Sequence, residues 1–239
     1  KFKCASLDKM VFDRIIFVGD SAHVVSPFGA RGGNGGMHDV DNLGWKLASI
    51  LKNNSSVKIL NSYNDERIEA AKENITNSSR ATNFMTPKNK MAKVFRDQVL
   101  KLATSNQFSR NLINSGRLSV PFKINSFKLD NEYKDDPLLG SIYIDFPILD
   151  RRGNRLFLTD LIANSYNLLS FSKIKMEFPN NLNIISVGEK TNQDVDFLDF
   201  EGKGLERYTL DLNYLIRPDG YIVGIFKEVN IETLEKYML

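Results

Sequence analysis

The stretch from Arg14 to Ala48 constrains this chain more than any other: Arg-Ile-Ile-Phe-Val-Gly-Asp-Ser-Ala-His-Val-Val-Ser-Pro-Phe-Gly-Ala-Arg-Gly-Gly-Asn-Gly-Gly-Met-His-Asp-Val-Asp-Asn-Leu-Gly-Trp-Lys-Leu-Ala. It reads as a strand, an acidic turn, a glycine-rich loop and a helix in direct succession. The run from Ile15 to Val18 is β-branched and aromatic with no polar residue inside, which predicts a strand buried on both faces, as in a parallel sheet. Gly19-Asp20 ends it. Between Pro27 and Gly36 stand Gly29, Gly32, Gly33, Gly35 and Gly36. A loop so composed can take left-handed conformations and let its backbone approach a ligand closely. From Met37 to Leu51 the composition predicts a helix, with Leu43, Leu47 and Ile50 or Leu51 on one apolar face.

Amide N–H groups at a helix start, helped by the helix dipole, favour an anionic or electron-rich group. A carboxylate directly after a buried strand is placed to accept hydrogen bonds from ligand hydroxyls. Together they describe a pocket for a large cofactor with polyol and anionic parts. The glycines taken alone support only a tight strand-to-helix connection.

The order of the residues says more. Gly19-Asp20-Ser21-Ala22-His23, Pro27, Gly29, Gly32-Gly33-Asn34, Asp39 and Asn42-Leu43-Gly44-Trp45-Lys46-Leu47 resemble the second flavin-binding motif of the FAD-dependent aromatic hydroxylases, the single-component flavoprotein monooxygenases. The resemblance implies that Gly19 and Asp20 form the turn that binds the ribityl chain of FAD. It implies that Pro27, the candidate catalytic-site residue, lines the isoalloxazine near the carbon that carries the peroxide. Backbone amides of Gly32, Gly33 and Asn34 would face the pyrimidine edge of the flavin and stabilise its reduced anion. In that family NAD(P)H reduces FAD, oxygen forms a flavin hydroperoxide, and one oxygen atom enters a phenolic ring.

The chain has 239 residues, enough for two modest domains, and its 42% hydrophobic and 26% charged content is that of a globular protein. A net charge of +3, from 32 basic and 29 acidic residues, gives no argument for nucleic acid or an anionic membrane. Cys4 is the single cysteine, which excludes an intrachain disulfide and any Cys-x-x-Cys site. No apolar run approaches the ~18 residues of a membrane span, and no secretory signal is visible, so a cytoplasmic protein is expected. The chain opens on Lys1 rather than Met and contains no Gly-x-Gly-x-x-Gly. In the family that fingerprint holds the ADP half of FAD and lies upstream. The resemblance thus implies the C-terminal part of a longer enzyme, with an incomplete Rossmann-type FAD-binding portion at 1–120.

Helices are expected from Val57 to about Ser79 and from Lys90 to Ala103, with Phe84-Met85-Thr86-Pro87 breaking between them. Glu66-Arg67 resembles the Glu-Arg pair that follows the flavin motif in the family, and an anchoring role is expected. Leu112–Pro121 is similar to a stretch of phenylpropionate-type hydroxylases, with Gly116 as a cap or turn. Residues 121–137 are polar and turn-rich, which predicts a linker. Beyond it come strand candidates at Leu156–Ile162 (passing into helix), Tyr166–Phe171 and Leu182–Val187, a turn at Asp199–Gly202, a hairpin at Tyr214–Phe226 about Arg217-Pro218-Asp219-Gly220, and a last helix at Ile231–Leu239. This composition predicts a compact α/β domain over 138–239. Leu215-Ile-Arg-Pro-Asp-Gly-Tyr221 looks like the hairpin that closes the thioredoxin-like domain of phenol-hydroxylase-type flavoproteins. Without a cysteine pair such a domain cannot exchange dithiols, and a structural or homodimer-forming role is expected.

His23 and His38, the only histidines, have no third ligand in view for a metal. His23 is expected to be a hydrogen-bonded turn residue and Trp45 a core residue. Arg31 either counters a flavin or pyrophosphate charge or is a solvated loop arginine. Asp39 and Asp41 are expected in the first helical turn, where the dipole alone accounts for carboxylates. No Ser-His-Asp or paired-carboxylate arrangement supports hydrolysis. The competing reading is a catalytically silent remnant that serves as an interaction or dimerisation module.

Overall fold

The computed structural model describes residues 3–27, 31–53, 55–113, 121–128, 131–174, 178, 182–189 and 195–238. The chain divides into two compact units, Lys1–Phe122 and Lys123–Leu239.

In the first unit the strands are short. β1 (Ala5–Ser6) and β4 (His23–Val24) pair antiparallel, as do β2 (Val11–Phe12) and β3 (Ile15–Ile16). The strand expected at Ile15–Val18 is therefore neither parallel nor buried on both faces. Its partner is local: Asp13, at φ +52°, turns the chain so that Phe12 faces Ile15, which is 62% exposed. The core of this unit lies instead under two helices, α1 (Gly32–Asn53) and α2 (Ile59–Met85). Met10, Ala22, Leu43, Leu60, Tyr63 and Ala71 are buried together there, with Trp45 and Leu47 packed half-buried against them. Each large apolar side chain so buried contributes about 1.5–3 kcal/mol.

α1 begins at Gly32 rather than at Met37, so the second half of the expected glycine loop, Gly32–Gly36, is helix. Glycine disfavours a helix interior by about 1 kcal/mol relative to alanine. Tertiary packing overrides that here. A Cβ on Gly36 would stand 3.3 Å from the Cα of Gly19, and one on Gly35 would stand 3.1 Å from Cε1 of His23. Only glycine lets the helix lie this close to the turn beneath it.

α2 ends at Met85, before Pro87, and α3 (Lys90–Ala103) follows with Asn89 as its cap, Oδ1 accepting from the N–H of Ala92 at 2.8 Å. The periodic apolar residues of α3 are not a core face. Val99 is buried, whereas Met91, Val94, Phe95 and Leu102 are exposed. α4 (Gln107–Ile113) packs on α3. Asn114–Val120, with the turn expected at Gly116, lies outside the described residues, as does Gly29.

The second unit is a seven-stranded mixed sheet with helices, an α/β unit. Its strands are β5 (Pro147–Asp150), β6 (Arg155–Phe157), β7 (Tyr166–Ser170), β8 (Leu182–Gly188), β9 (Phe197–Leu198), β10 (Asn213–Ile216) and β11 (Ile222–Phe226). Their spatial order is β11-β10-β7-β8-β9-β5-β6, with β7/β8 and β8/β9 parallel and the rest antiparallel. A single turn, α5 (Leu158–Leu161), follows β6, and α6 (Ile231–Glu235) follows β11. Leu139, Phe146, Ile148, Leu169, Tyr214 and Ile222 form the centre of the core.

The β10–β11 hairpin turns at Arg217–Gly220, where Gly220 takes φ +81° and the Arg217 N–H donates to the Tyr221 carbonyl at 2.8 Å. Arg217 is fully buried and grips Asp219 with two bonds, Nε to Oδ1 at 2.9 Å and Nη2 to Oδ2 at 2.7 Å. Residues 123–137, expected as a linker, lie within this unit. Ile124 is buried and its N–H donates to the Gly140 carbonyl at 2.8 Å. The polar side chains that suggested a linker serve local turns, Asn131 accepting from the Tyr133 N–H and Asp136 from the Leu138 N–H.

Candidate flavin site

After β3 the chain makes one 3-10 turn, Gly19–Ser21. Gly19 adopts φ +56°, a conformation that favours glycine. Ser21 ties the turn to its own entry, Oγ donating to the Val18 carbonyl at 2.7 Å and accepting from the Val18 N–H at 3.2 Å. The turn leaves Asp20 exposed.

Opposite stands the start of α1. Its first intrahelical bond runs from the Gly35 N–H to the Arg31 carbonyl at 2.9 Å. Gly32, Gly33 and Asn34 stand in the first turn of α1, at the positive end of its dipole. Space is open above Gly33, where an added Cβ would meet nothing within 4 Å. An open cleft of about 690 Å³ runs along this face, lined by Gly33, Gly36, Met37, His38, Val40 and Asp41. Pro27, also exposed, lies on the segment that leads into the helix. Of the six residues predicted for the site, Gly33 lines the cleft, while Gly19, Asp20, Pro27, Gly32 and Asn34 are not among its lining residues, so the structure brings the turn and the helix start together without making one enclosed pocket of all six.

What joins turn and helix is Asp39, which is 0% exposed. With α1 beginning at Gly32, Asp39 lies two turns into the helix, beyond the reach of the dipole that was expected to account for it. Its oxygens serve three donors. Oδ2 accepts from the Gly19 N–H at 2.9 Å and from Nε2 of His23 at 2.7 Å, and Oδ1 accepts from Nε of Arg67 at 2.7 Å. Burial alone would raise this carboxyl's pKa. The hydrogen bond from His23, the charge and hydrogen bond of Arg67 and the Gly19 N–H outweigh it and hold the pKa below the ordinary 3.8. An ionised Asp39 only accepts, so the His23 proton sits on Nε2.

A second buried group lies further along α1. Asn42 Nδ2 donates to Oε2 of Glu66 at 2.7 Å, and Lys46 Nζ reaches the same oxygen at 3.2 Å and the Asn42 Oδ1 at 2.8 Å. Glu66 and Arg67 therefore anchor α2 to α1 through two different partners, in the role expected of the pair. Arg31 is not a solvated loop arginine; it is buried, with Nη1 donating to Oδ1 of Asn74 at 2.8 Å. Burial and the Arg67 charge lower the His38 pKa against the opposing pull of Asp41 and Asp39, which favours neutral His38 beside the cleft. Tyr63 donates to the Phe17 carbonyl at 2.8 Å. Among the described residues no group of three or more His, Cys, Asp or Glu is arranged to hold a metal ion, and no helix is long and apolar enough to cross a membrane.

The sequence reading missed Asp39 as the centre of the site. One signal was present: Gly35, Asp39, Asn42 and Lys46 fall at i, i+4, i+7 and i+11, a polar stripe along one face of a helix that otherwise needs an apolar one.

Residues 3–78 match the family model described as FAD binding domain. Over 88 residues the chain is 38% identical to the 3-(3-hydroxy-phenyl)propionate/3-hydroxycinnamic acid hydroxylase of Comamonas testosteroni, a match spanning 37% of this chain and 15% of that enzyme. Over 72 residues it is 42% identical to an uncharacterized aromatic compound monooxygenase of Bacillus subtilis, spanning 30% of this chain and 14% of the relative. Among solved structures, the flavin-dependent monooxygenase PieE in complex with FAD and substrate superposes with a TM-score of 0.72 at 16% identity, covering 95% of this chain and 47% of that one. The ternary complex of aklavinone-11 hydroxylase with FAD and aklavinone gives a TM-score of 0.72 at 21% identity, covering 99% and 45%. The chain thus spans less than half the length of these solved relatives, and at such identities the likeness is one of fold.

Proposed function

We propose that this chain, whose residues 3–78 carry the FAD binding domain motif, is the flavin-holding C-terminal part of an FAD- and NAD(P)H-dependent aromatic hydroxylase acting on a phenolic substrate. The observation that supports this most is the pairing of an exposed Asp20 turn with the glycine-rich amino end of α1, joined by a buried carboxylate. When bound, FAD supplies the redox and oxygen-activating chemistry. The residues present fit it. The Asp20 carboxylate would accept from the ribityl hydroxyls, and Gly19 gives the turn its shape. The amino end of α1 at Gly32, Gly33 and Asn34 would hold the pyrimidine edge and favour the negative charge of the reduced flavin. Pro27 would border the ring as an apolar wall that keeps water away. We read the second unit as a thioredoxin-like domain without dithiol chemistry, since the chain has one cysteine, Cys4, and as the homodimer-forming part.

Titrating FAD into the purified chain and following the quenching of its fluorescence tests this reading. Micromolar or tighter binding is expected, and Asp20→Ala should weaken it tenfold or more, about 1.4 kcal/mol. Absence of binding, both here and in a chain extended upstream, would overturn it.

A further inference from the structure

We infer that Asp39 is the positioning residue of the flavin site, the group that holds the Asp20 turn in register with the amide end of α1. The inference rests on the flavin reading above. The proposed site is split between two elements that are separate in sequence, a 3-10 turn at 19–21 and the first turn of α1 at 32–35. Neither contains the other's support. Three contacts cross between them. The Gly19 N–H donates to Oδ2 of Asp39 at 2.9 Å, His23 just after the turn donates to the same oxygen at 2.7 Å, and Gly36 lies so close to Gly19 that a Cβ added to it would stand 3.3 Å from the Gly19 Cα, a tight contact.

The two oxygens of Asp39 divide the work. Oδ2 faces the turn, through Gly19 and His23. Oδ1 faces α2, where Arg67 donates from Nε and also reaches the Gly35 carbonyl with Nη2 at 3.3 Å. Arg67 therefore holds the carboxylate from behind, and Oδ2 transmits that position to the residue directly before Asp20. A carboxylate suits the task because every one of these three partners is a donor. An asparagine offers one acceptor atom and one donor group; with that acceptor held by the buried Arg67 guanidinium, the charge that most needs it, its amide group meets the Gly19 N–H donor to donor. Asp39 touches no part of the open face itself, being fully buried. Its effect on flavin binding is through Gly19.

The prediction separates positioning from simple support of the fold. Asp39→Asn and Arg67→Lys both remove a bond of the same buried cluster, and both should lower thermal stability. Asp39→Asn should in addition release the Gly19 amide, read as loss of its hydrogen-exchange protection by NMR, and weaken FAD binding at least tenfold with a changed flavin absorption band. Arg67→Lys should leave the Gly19 amide protected and FAD affinity within about threefold of wild type. Persistent protection of Gly19 in Asp39→Asn would overturn the inference, as would equal loss of FAD affinity in the two variants. Should Asp39→Asn fail to fold, Gly36→Ala separates the same turn and helix without touching the carboxylate. It should weaken FAD binding likewise, and unchanged affinity there would overturn the inference. Absence of FAD quenching both by the wild-type chain and by a chain extended upstream would sink the flavin reading, while exchange at Gly19 would still decide whether Asp39 fixes the turn.

Discussion

Asp20 and Asp39 show how differently two aspartates of one segment can be employed. Asp20 is exposed in a turn, and the Gly-Asp that ends a β-branched run made that turn legible. The role of Asp39 was not, because its partners come from two separate stretches, Gly19–His23 and Arg67, that only the folded chain brings together with it. The same lack hid Arg31, whose partner Asn74 lies 43 residues away. Asp39→Ala would leave the Arg67 guanidinium buried without its carboxylate, and a loss of about 3–5 kcal/mol is expected in urea unfolding. The pH dependence follows from the lowered pKa. Because folding depresses it, the ionised Asp39 stabilises the fold above its unfolded value of 3.8, and that stability drains away as the pH falls below 3.8 and through the folded pKa. Trp45, the one tryptophan, packs on the same core, so its fluorescence should report an acid-weakened urea midpoint that Asp39→Asn flattens.

At the level of elements, legibility tracked how far each element depends on its neighbours. α3 begins and ends where its periodicity and Pro87 place it, because its cap is local; Asn89→Ala should cost about 1 kcal/mol of helix stability, measurable by circular dichroism of the melting transition. The β10–β11 hairpin was equally plain, its turn written in Arg-Pro-Asp-Gly. The start of α1 was misplaced by five residues because glycine signals a loop when read alone. Here those glycines instead admit the Gly19 turn and the His23 ring. The Ile15–Val18 run was misread for the opposite reason. Apolar residues without periodicity fit a buried strand, yet a turn at Asp13 gave Ile15 and Ile16 antiparallel partners within five residues. In the hairpin, Arg217→Met leaves Asp219 buried without its cation, and a destabilisation of about 3–5 kcal/mol should appear as an earlier thermal transition.

On the scale of the whole molecule, the two units are held by different means. The first is short of sheet and bound by two helices riveted through buried polar groups, Asp39 with Arg67 and Lys46 with Glu66. The second is a continuous sheet with an apolar centre. Both carry tyrosines whose pKa is pushed up by burial, Tyr63 in the first and Tyr208 and Tyr214 in the second. A raised pKa means stability that is complete below the unfolded value of 10 and lost as the pH climbs above it. Alkaline unfolding of the chain is therefore expected to set in above pH 10, with the rise in tyrosinate absorbance tracking the loss of circular dichroism rather than preceding it.

The burial of Asp39 and the exposure of Asp20 also set how the gene can age. A substitution at Asp39 damages the fold whether or not a flavin is ever bound, so selection for a folded chain alone removes it. A substitution at Asp20 costs a folded chain little, since exposed positions usually shift stability by no more than about 0.5 kcal/mol. On the flavin reading proposed above, a copy released from flavin binding would drift at the exposed Asp20, Pro27 and Asn34 before it lost the buried Asp39. This chain retains all four.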